Sequence, residues 1–224
     1  MHRKISDMIR TKFFILLSLA MFSMTALGQI DNQIITILEH CDKVMHNPAG
    51  TEISMSLNIK AMGVFSSSGT MTTYSKGEKS FTKAKMKILG KKITTYNGSD
   101  GKEDWMYRPA ILDGENDTIY ISKSDSSPKK DDYINLNIHK QYSVGKLKEL
   151  DNYYEISFSK PKDKDFPKKT TLKINKKDYS LKEMSMKDTS FSMKLTITRI
   201  KFGVSDDVVT FNPKKFPGAK IIRR

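Results

Sequence analysis

One stretch of the sequence has the residue types of a reactive centre: Glu39-His40-Cys41-Asp42, with His46 close behind. A thiol beside an imidazole is the pairing of a cysteine nucleophile, and imidazole, thiolate and carboxylate together make a transition-metal ligand set. The spacing opposes both. His40 and His46 are six residues apart, about 600° of helix rotation and so about 120° off a common face, where a helical zinc pair needs i and i+4. Cys41 falls in the apolar stripe of its segment and is expected as a small core residue. A single cysteine rules out an intramolecular disulfide framework and any multi-cysteine zinc or iron–sulfur site. His139 is isolated, and no glycine-rich phosphate loop, G-x-S-x-G elbow or H-E-x-x-H occurs. The expectation is a chain with no catalytic residues, no metal and no cofactor, hence not an enzyme. A hydrolase whose groups meet only in space stays open as a rival.

The first 28 residues follow different rules from the rest. Arg3, Lys4, Arg10 and Lys12 precede an uncharged apolar run from Phe13 to Leu27, and Ala26-Leu27-Gly28 offers small residues where a signal peptidase reads. Cleavage before Gln29 is predicted; an uncleaved anchor is the alternative, although the run is short of the about 20 apolar residues of a span. Gln29 stands where a lipoprotein signal requires cysteine, so the product is expected in the periplasm, soluble and not lipid-anchored. The whole chain carries 39 basic and 25 acidic side chains; without residues 1–28 these become 35 and 24, a charge of +11. Export disfavours nucleic acid as the partner of that charge and leaves anionic membrane surfaces, transiently touched, or an acidic protein. Lysines that merely solvate a sheet would give the same excess.

The remaining 196 residues must place their apolar side chains by period. Ile34, Ile37, Leu38, Cys41, Val44 and Met45 follow the 3, 4, 7 spacing of a one-sided helix, capped at Asp31 or Asn32 and stopped by Pro48 and Gly50. The period then changes to two. Ile53, Met55, Leu57 and Ile59 alternate with polar residues, and so do Phe191, Met193, Leu195 and Ile197. Weaker strands are expected around residues 69–75, 81–89, 92–97, 104–107, 117–122, 153–159, 170–175, 181–187 and 208–211, with Asn97-Gly98-Ser99-Asp100-Gly101 as a turn. Residues 131–150 read as helical or irregular. The fold class is therefore mainly β: about 10–11 antiparallel strands in one strongly curved sheet, an open or incomplete barrel, with the N-terminal helix and a mid-chain helical segment over its concave face. Residues 29–224 read as one domain.

Three segments carry a family resemblance. They are the order of leader, helix and strands 53–63 and 69–75 leading into Phe81; the run Tyr96-Asn97-Gly98-Ser99-Asp100-Gly101-Lys102 followed by Trp105-Met106-Tyr107; and the ending from Phe211-Asn212-Pro213 through Phe216-Pro217-Gly218 to Ile221-Ile222-Arg223. Together they resemble the LolA-like periplasmic carriers of outer-membrane lipoproteins, in the divergent branch found in Bacteroidetes-type bacteria. The resemblance implies an open barrel that shields acyl chains and hands them on by differential affinity. It implies acylated lipoproteins or lipids as cargo, an inner-membrane release complex and an outer-membrane acceptor as partners, and a monomer. It also implies an apolar concave lining, for which the residues are Ile53, Met55, Leu57, Ile59, Trp105, Tyr107, Met184, Met186, Phe191, Met193, Leu195 and Ile197. Arg108, Arg199, Arg223 and Arg224 lie outside the early strands, so no gating arginine is carried over. A lipid-sensing module, or an interaction module with a filled barrel, would share this fold.

Overall fold

The computed structural model describes residues 32–62, 65–88, 90–111, 114–124 and 136–224. The leader reading and the start of the 131–150 segment lie outside them. Helix α1 spans residues 32–45, and its stripe Ile34, Ile37, Leu38, Cys41 and Met45 is buried, as the spacing predicts. Six strands follow: β1 (Thr51–Ala61), β2 (Phe65–Lys76), β3 (Lys79–Ile88), β4 (Lys91–Ser99), β5 (Glu103–Arg108) and β6 (Thr118–Lys123). A short 3-10 turn (Leu136–Gln141) leads to β7 (Tyr142–Glu149), β8 (Tyr153–Pro161), β9 (Lys169–Asn175), β10 (Leu181–Lys187) and β11 (Phe191–Phe202). Helix α2 (Asp206–Val209), a 3-10 turn (Pro213–Lys215) and β12 (Lys220–Arg223) complete the order.

All twelve strands form one sheet in the order β12-β6-β5-β4-β3-β2-β1-β11-β10-β9-β8-β7. Every pairing is antiparallel except β12 with β6, and the edge strands β7 and β12 do not meet, so the barrel is open. One core cluster joins α1 to side chains from seven adjacent strands, β2 through β7 in sheet order. Seven flat strands would span about 29 Å, nearly three helix diameters. A single helix reaches all of them only from inside a curl, which identifies the α1 side as concave. Leu136 and Ile138, in the turn just ahead of the edge strand β7, are buried in that same cluster.

The structure corrects two elements of the sequence reading. Residues 142–149 are strand and not helix: Ile134, Ile138 and Tyr142 fall at intervals of four, but β7 pairs with β8 from Tyr142↔Pro161 to Glu149↔Tyr154. Gly145 admits α1 against this edge strand, since a Cβ there would stand 3.2 Å from Ile34 Cδ1. The strand expected at 208–211 is instead the helical turn α2, opened by Ser205 with Asp206 and Asp207 in its first turn. The last strand is β12, twelve residues later than expected.

The two faces of the sheet differ in character. On the outer face Glu155, Lys173, Glu183 and Lys194 form a charge network across β8 to β11, with Lys194 to Glu183 at 2.8 Å. Over β1–β4 the outer face is polar and basic: Ser56 faces Thr70, Thr70 faces Lys85, Lys85 faces Thr94, and Lys87 faces Lys92.

Candidate functional site

Cross-strand register decides which side chains share a surface. Leu57 faces Leu195, which faces Met184, which faces Leu172, which faces Ile156, giving one apolar row across five strands. The next row runs Ile59, Met193, Met186, Thr170 and Phe158, and Ala61 faces Phe191 beyond it. Met55 faces Ile197 across the bulge in β11, and Ile53 continues the line. Ten of the twelve residues expected to line the cavity thus share the concave face. They are Ile53, Met55, Leu57, Ile59, Met184, Met186, Phe191, Met193, Leu195 and Ile197.

Trp105 and Tyr107 do not join them. Leu57 faces Gly69, Gly69 faces Met86 and Met86 faces Ile93, whereas Tyr107 faces Tyr96, three residues from Ile93 and so on the other side. Both aromatics stand on the outer face in a second cluster with Ile119 and Ile121. The C-terminal segment covers them. Phe211 packs on Trp105 at 4.7 Å between ring centroids, and Phe216 stacks on Tyr107 at 4.7 Å. Trp105 is 5% exposed beneath them. Gly98, expected in a turn, lies inside β4 beneath this ring; a Cβ there would stand 2.4 Å from the Ser80 carbonyl oxygen and 2.9 Å from the indole.

Sequence reasoning missed Met71, Met86 and Ile93, which extend the concave face through β2, β3 and β4. Their strands are rich in Ser, Thr and Lys and alternate weakly, so the only signal was a methionine recurring among polar residues. With them, Met45, Met55, Met71, Met86, Met184, Met186 and Met193 all belong to the concave core; Met62 and Met106 are the exceptions among the described methionines. A core this rich in unbranched thioethers can repack with little strain.

The would-be reactive cluster disperses over α1. Cys41 is fully buried, and burial, then the negative charges of Asp42 and Asp178, push its thiol up to about 12. His40 packs against Tyr179 at 4.8 Å, and His46 Nδ1 lies 3.0 Å from Asp42 Oδ1. Glu39, Asp42 and His139 line a cavity of about 160 Å³ between α1 and the Leu136–Gln141 turn. Burial, then Lys140, lowers the pKa of His139 below the usual imidazole value. Among the described residues no group of three or more His, Cys, Asp or Glu side chains is arranged to hold a metal ion. On the outer face the Tyr107 hydroxyl donates to Asp117 Oδ2 at 2.6 Å. Burial and that bond raise the phenol to about 12 and depress the carboxyl.

No protein-family model matches the sequence, and no curated protein does. Solved structures do. An uncharacterized conserved protein from Thermus thermophilus superposes with a TM-score of 0.51 at 13% identity, over 84% of this chain and 98% of that one. The Mycobacterium tuberculosis lipoprotein LppX gives 0.46 at 12% identity, over 80% and 99% of the two chains. A LolA superfamily protein from Nitrosomonas europaea gives 0.40 at 11% identity, over 79% and 96%. At such identities the likeness is one of fold. What this chain shares with the Thermus thermophilus protein, at a TM-score of 0.51, is therefore its overall fold and nothing finer.

Proposed function

We propose that this chain is an exported, soluble periplasmic carrier that holds the acyl chains of lipoproteins against its concave face and shuttles them towards the outer membrane. The observation that carries this reading is the seven-methionine core, six from the sheet and Met45 from the helix that covers it. An acyl chain enters by replacing α1 and the Leu136–Gln141 turn. The exchange is near balance: sixteen carbons leaving water gain about 12 kcal/mol at about 0.8 per CH₂. Uncovering the seven buried side chains of α1 and that turn costs about 10–21 kcal/mol. Near-balance suits a carrier that must also let go. No bond is made or broken; an inner-membrane release complex would load the chain and an outer-membrane acceptor unload it.

One observation favours a second reading, an interaction module with a filled barrel. With α1 in place six of the ten concave residues are buried and Ile59, Met186, Phe191 and Met193 are partly so, and the cavity beside α1, about 160 Å³, is below the about 300 Å³ of a small ligand pocket. Native mass spectrometry with a triacylated lipopeptide and its deacylated twin separates the two. The carrier reading expects binding of the acylated form only, abolished by Leu57→Glu. It also expects weaker binding by the volume-conserving triple Met55→Leu, Met184→Leu, Met193→Leu, with Tm nearly unchanged. A folded protein that binds neither peptide is the filled module.

A further inference from the structure

Strands β1–β4 contain eight lysines, Lys60, Lys76, Lys79, Lys83, Lys85, Lys87, Lys91 and Lys92, against one acid, Glu52. Glu52 stands at the far end of β1, beside Tyr74. The excess is uneven in space. Lys85, Lys87 and Lys92 share the outer face, and with Ser, Thr and Asn of that face and Leu57, Met86 and Ile93 of the concave face they line an open trough of about 580 Å³. Lys60 is exposed on the same face. Among the described residues none of these four lysines is in an ion pair, whereas Lys173 and Lys194, on the same face of β9 and β11, are neutralised by Glu155 and Glu183. Lys87 lies directly opposite Lys92, and like charges so placed destabilise a sheet unless an outside anion compensates them.

A second observation narrows the partner. Met62, two residues beyond Lys60 at the tip of the β1–β2 hairpin, is 80% exposed, the most exposed of the large apolar side chains described. An ammonium cluster alone suits any polyanion. Ammonium groups beside a bare apolar tip suit the boundary between phosphate headgroups and acyl chains. We infer that the outer face of β1–β4 docks on an anionic phospholipid surface, with Lys60, Lys85, Lys87 and Lys92 over the headgroups and Met62 dipping below them. The concave face and α1 then point away from the bilayer plane.

The inference stands apart from the acyl-carrier reading, because its test contains no lipoprotein and its failure leaves that reading intact. The chain from Gln29, which carries every described element, is sedimented with vesicles of phosphatidylglycerol and phosphatidylethanolamine, or of phosphatidylcholine alone, in 50 mM and 300 mM salt. Binding is expected only to the anionic vesicles, weakened by salt. The triple Lys85→Gln, Lys87→Gln, Lys92→Gln is expected to bind about 100-fold less tightly, and Met62→Ser several-fold less. Lys164→Gln, Lys177→Gln, Lys182→Gln, with the same charge change elsewhere, should bind as the parent does. Circular dichroism confirms that each variant is folded. Equal binding by the two triples overturns the inference. So does full competition by millimolar inorganic phosphate, which would make the trough a small-anion site. Retention on heparin or polyglutamate without vesicle binding overturns it as well, and assigns the face to an acidic macromolecule.

Discussion

Cys41 has the identity of a nucleophile and the surroundings of a leucine. Fully buried in the α1 stripe, with its thiol pushed up to about 12 by burial and by Asp42 and Asp178, it holds its proton at any physiological pH. Only the thiolate attacks. Iodoacetamide at pH 8 is therefore expected to leave the folded protein unmodified for hours and to label Cys41 within minutes in urea. Rapid labelling without denaturant, followed by mass spectrometry, would mean that α1 opens readily or that the thiol is not buried. Trp105 teaches the converse. Expected in the concave lining, it is instead enclosed on the outer face by Phe81, Phe211 and Phe216. Residue type states what a side chain can do, and the packing around it decides whether it does so.

The C-terminal segment is the element whose role the structure changes most. From β11, in the middle of the sheet, the chain passes over the outer face through α2, Phe211 and Phe216 and ends as β12 beside β6. Asp206 reaches Lys76, Arg223 pairs with Glu103, and Arg224 stacks over Tyr120. These exposed pairs contribute little each; the two phenylalanines supply most of the hold. Trp105 is the only tryptophan, so its emission reports this docking and nothing else. Phe216→Ala is expected to shift the emission maximum to the red and to cost about 3 kcal/mol or less, since Phe216 is only partly buried. Lipopeptide binding on the concave face should leave the emission unmoved. A large change on adding lipopeptide would instead place the ligand under the tail, against the concave site proposed above.

At the scale of the whole molecule, helix α1 and the Leu136–Gln141 turn fill the curl of a twelve-stranded sheet. Stability should follow the groups at that seam. His139 lies there, with a pKa lowered by burial and by Lys140. Its unfolded form takes a proton near the ordinary value of 6.5 while the folded form still resists. Stability therefore falls as pH drops below 6.5 and is regained above it. Urea midpoints from pH 7.5 to 5.0 should decline in the parent and decline less in His139→Gln; parallel declines would remove His139 from the account. Asp117 and Asp178, depressed by their hydrogen bonds to Tyr107 and Ser180, add a separate loss below 3.8, where protonation breaks those bonds.

Period alone determined the helix, most of the strands and the face shared by β1 and β11, because alternation over five or more residues has one economical burial. Leu57 and Leu195 could be assigned inward before any partner was known, and they face each other. Weak alternation hid the inward face of Met71 and Met86, although the strands at 69–75 and 81–89 that carry them were legible. Tyr142 misled for a related reason: an edge strand paired on one side leaves little imprint on its own sequence. Two matters belonged to the tertiary structure alone. Which face of β5 lies inside depends on counting register through four strand pairings from β1, and a one-residue step in that count turns Trp105 from cavity to back. That Phe211 and Phe216 cover that back depends on where the tail crosses, a contact more than a hundred residues from Trp105 in sequence. Local pattern carries a side chain's preference for burial; only the assembled sheet decides against what it is buried.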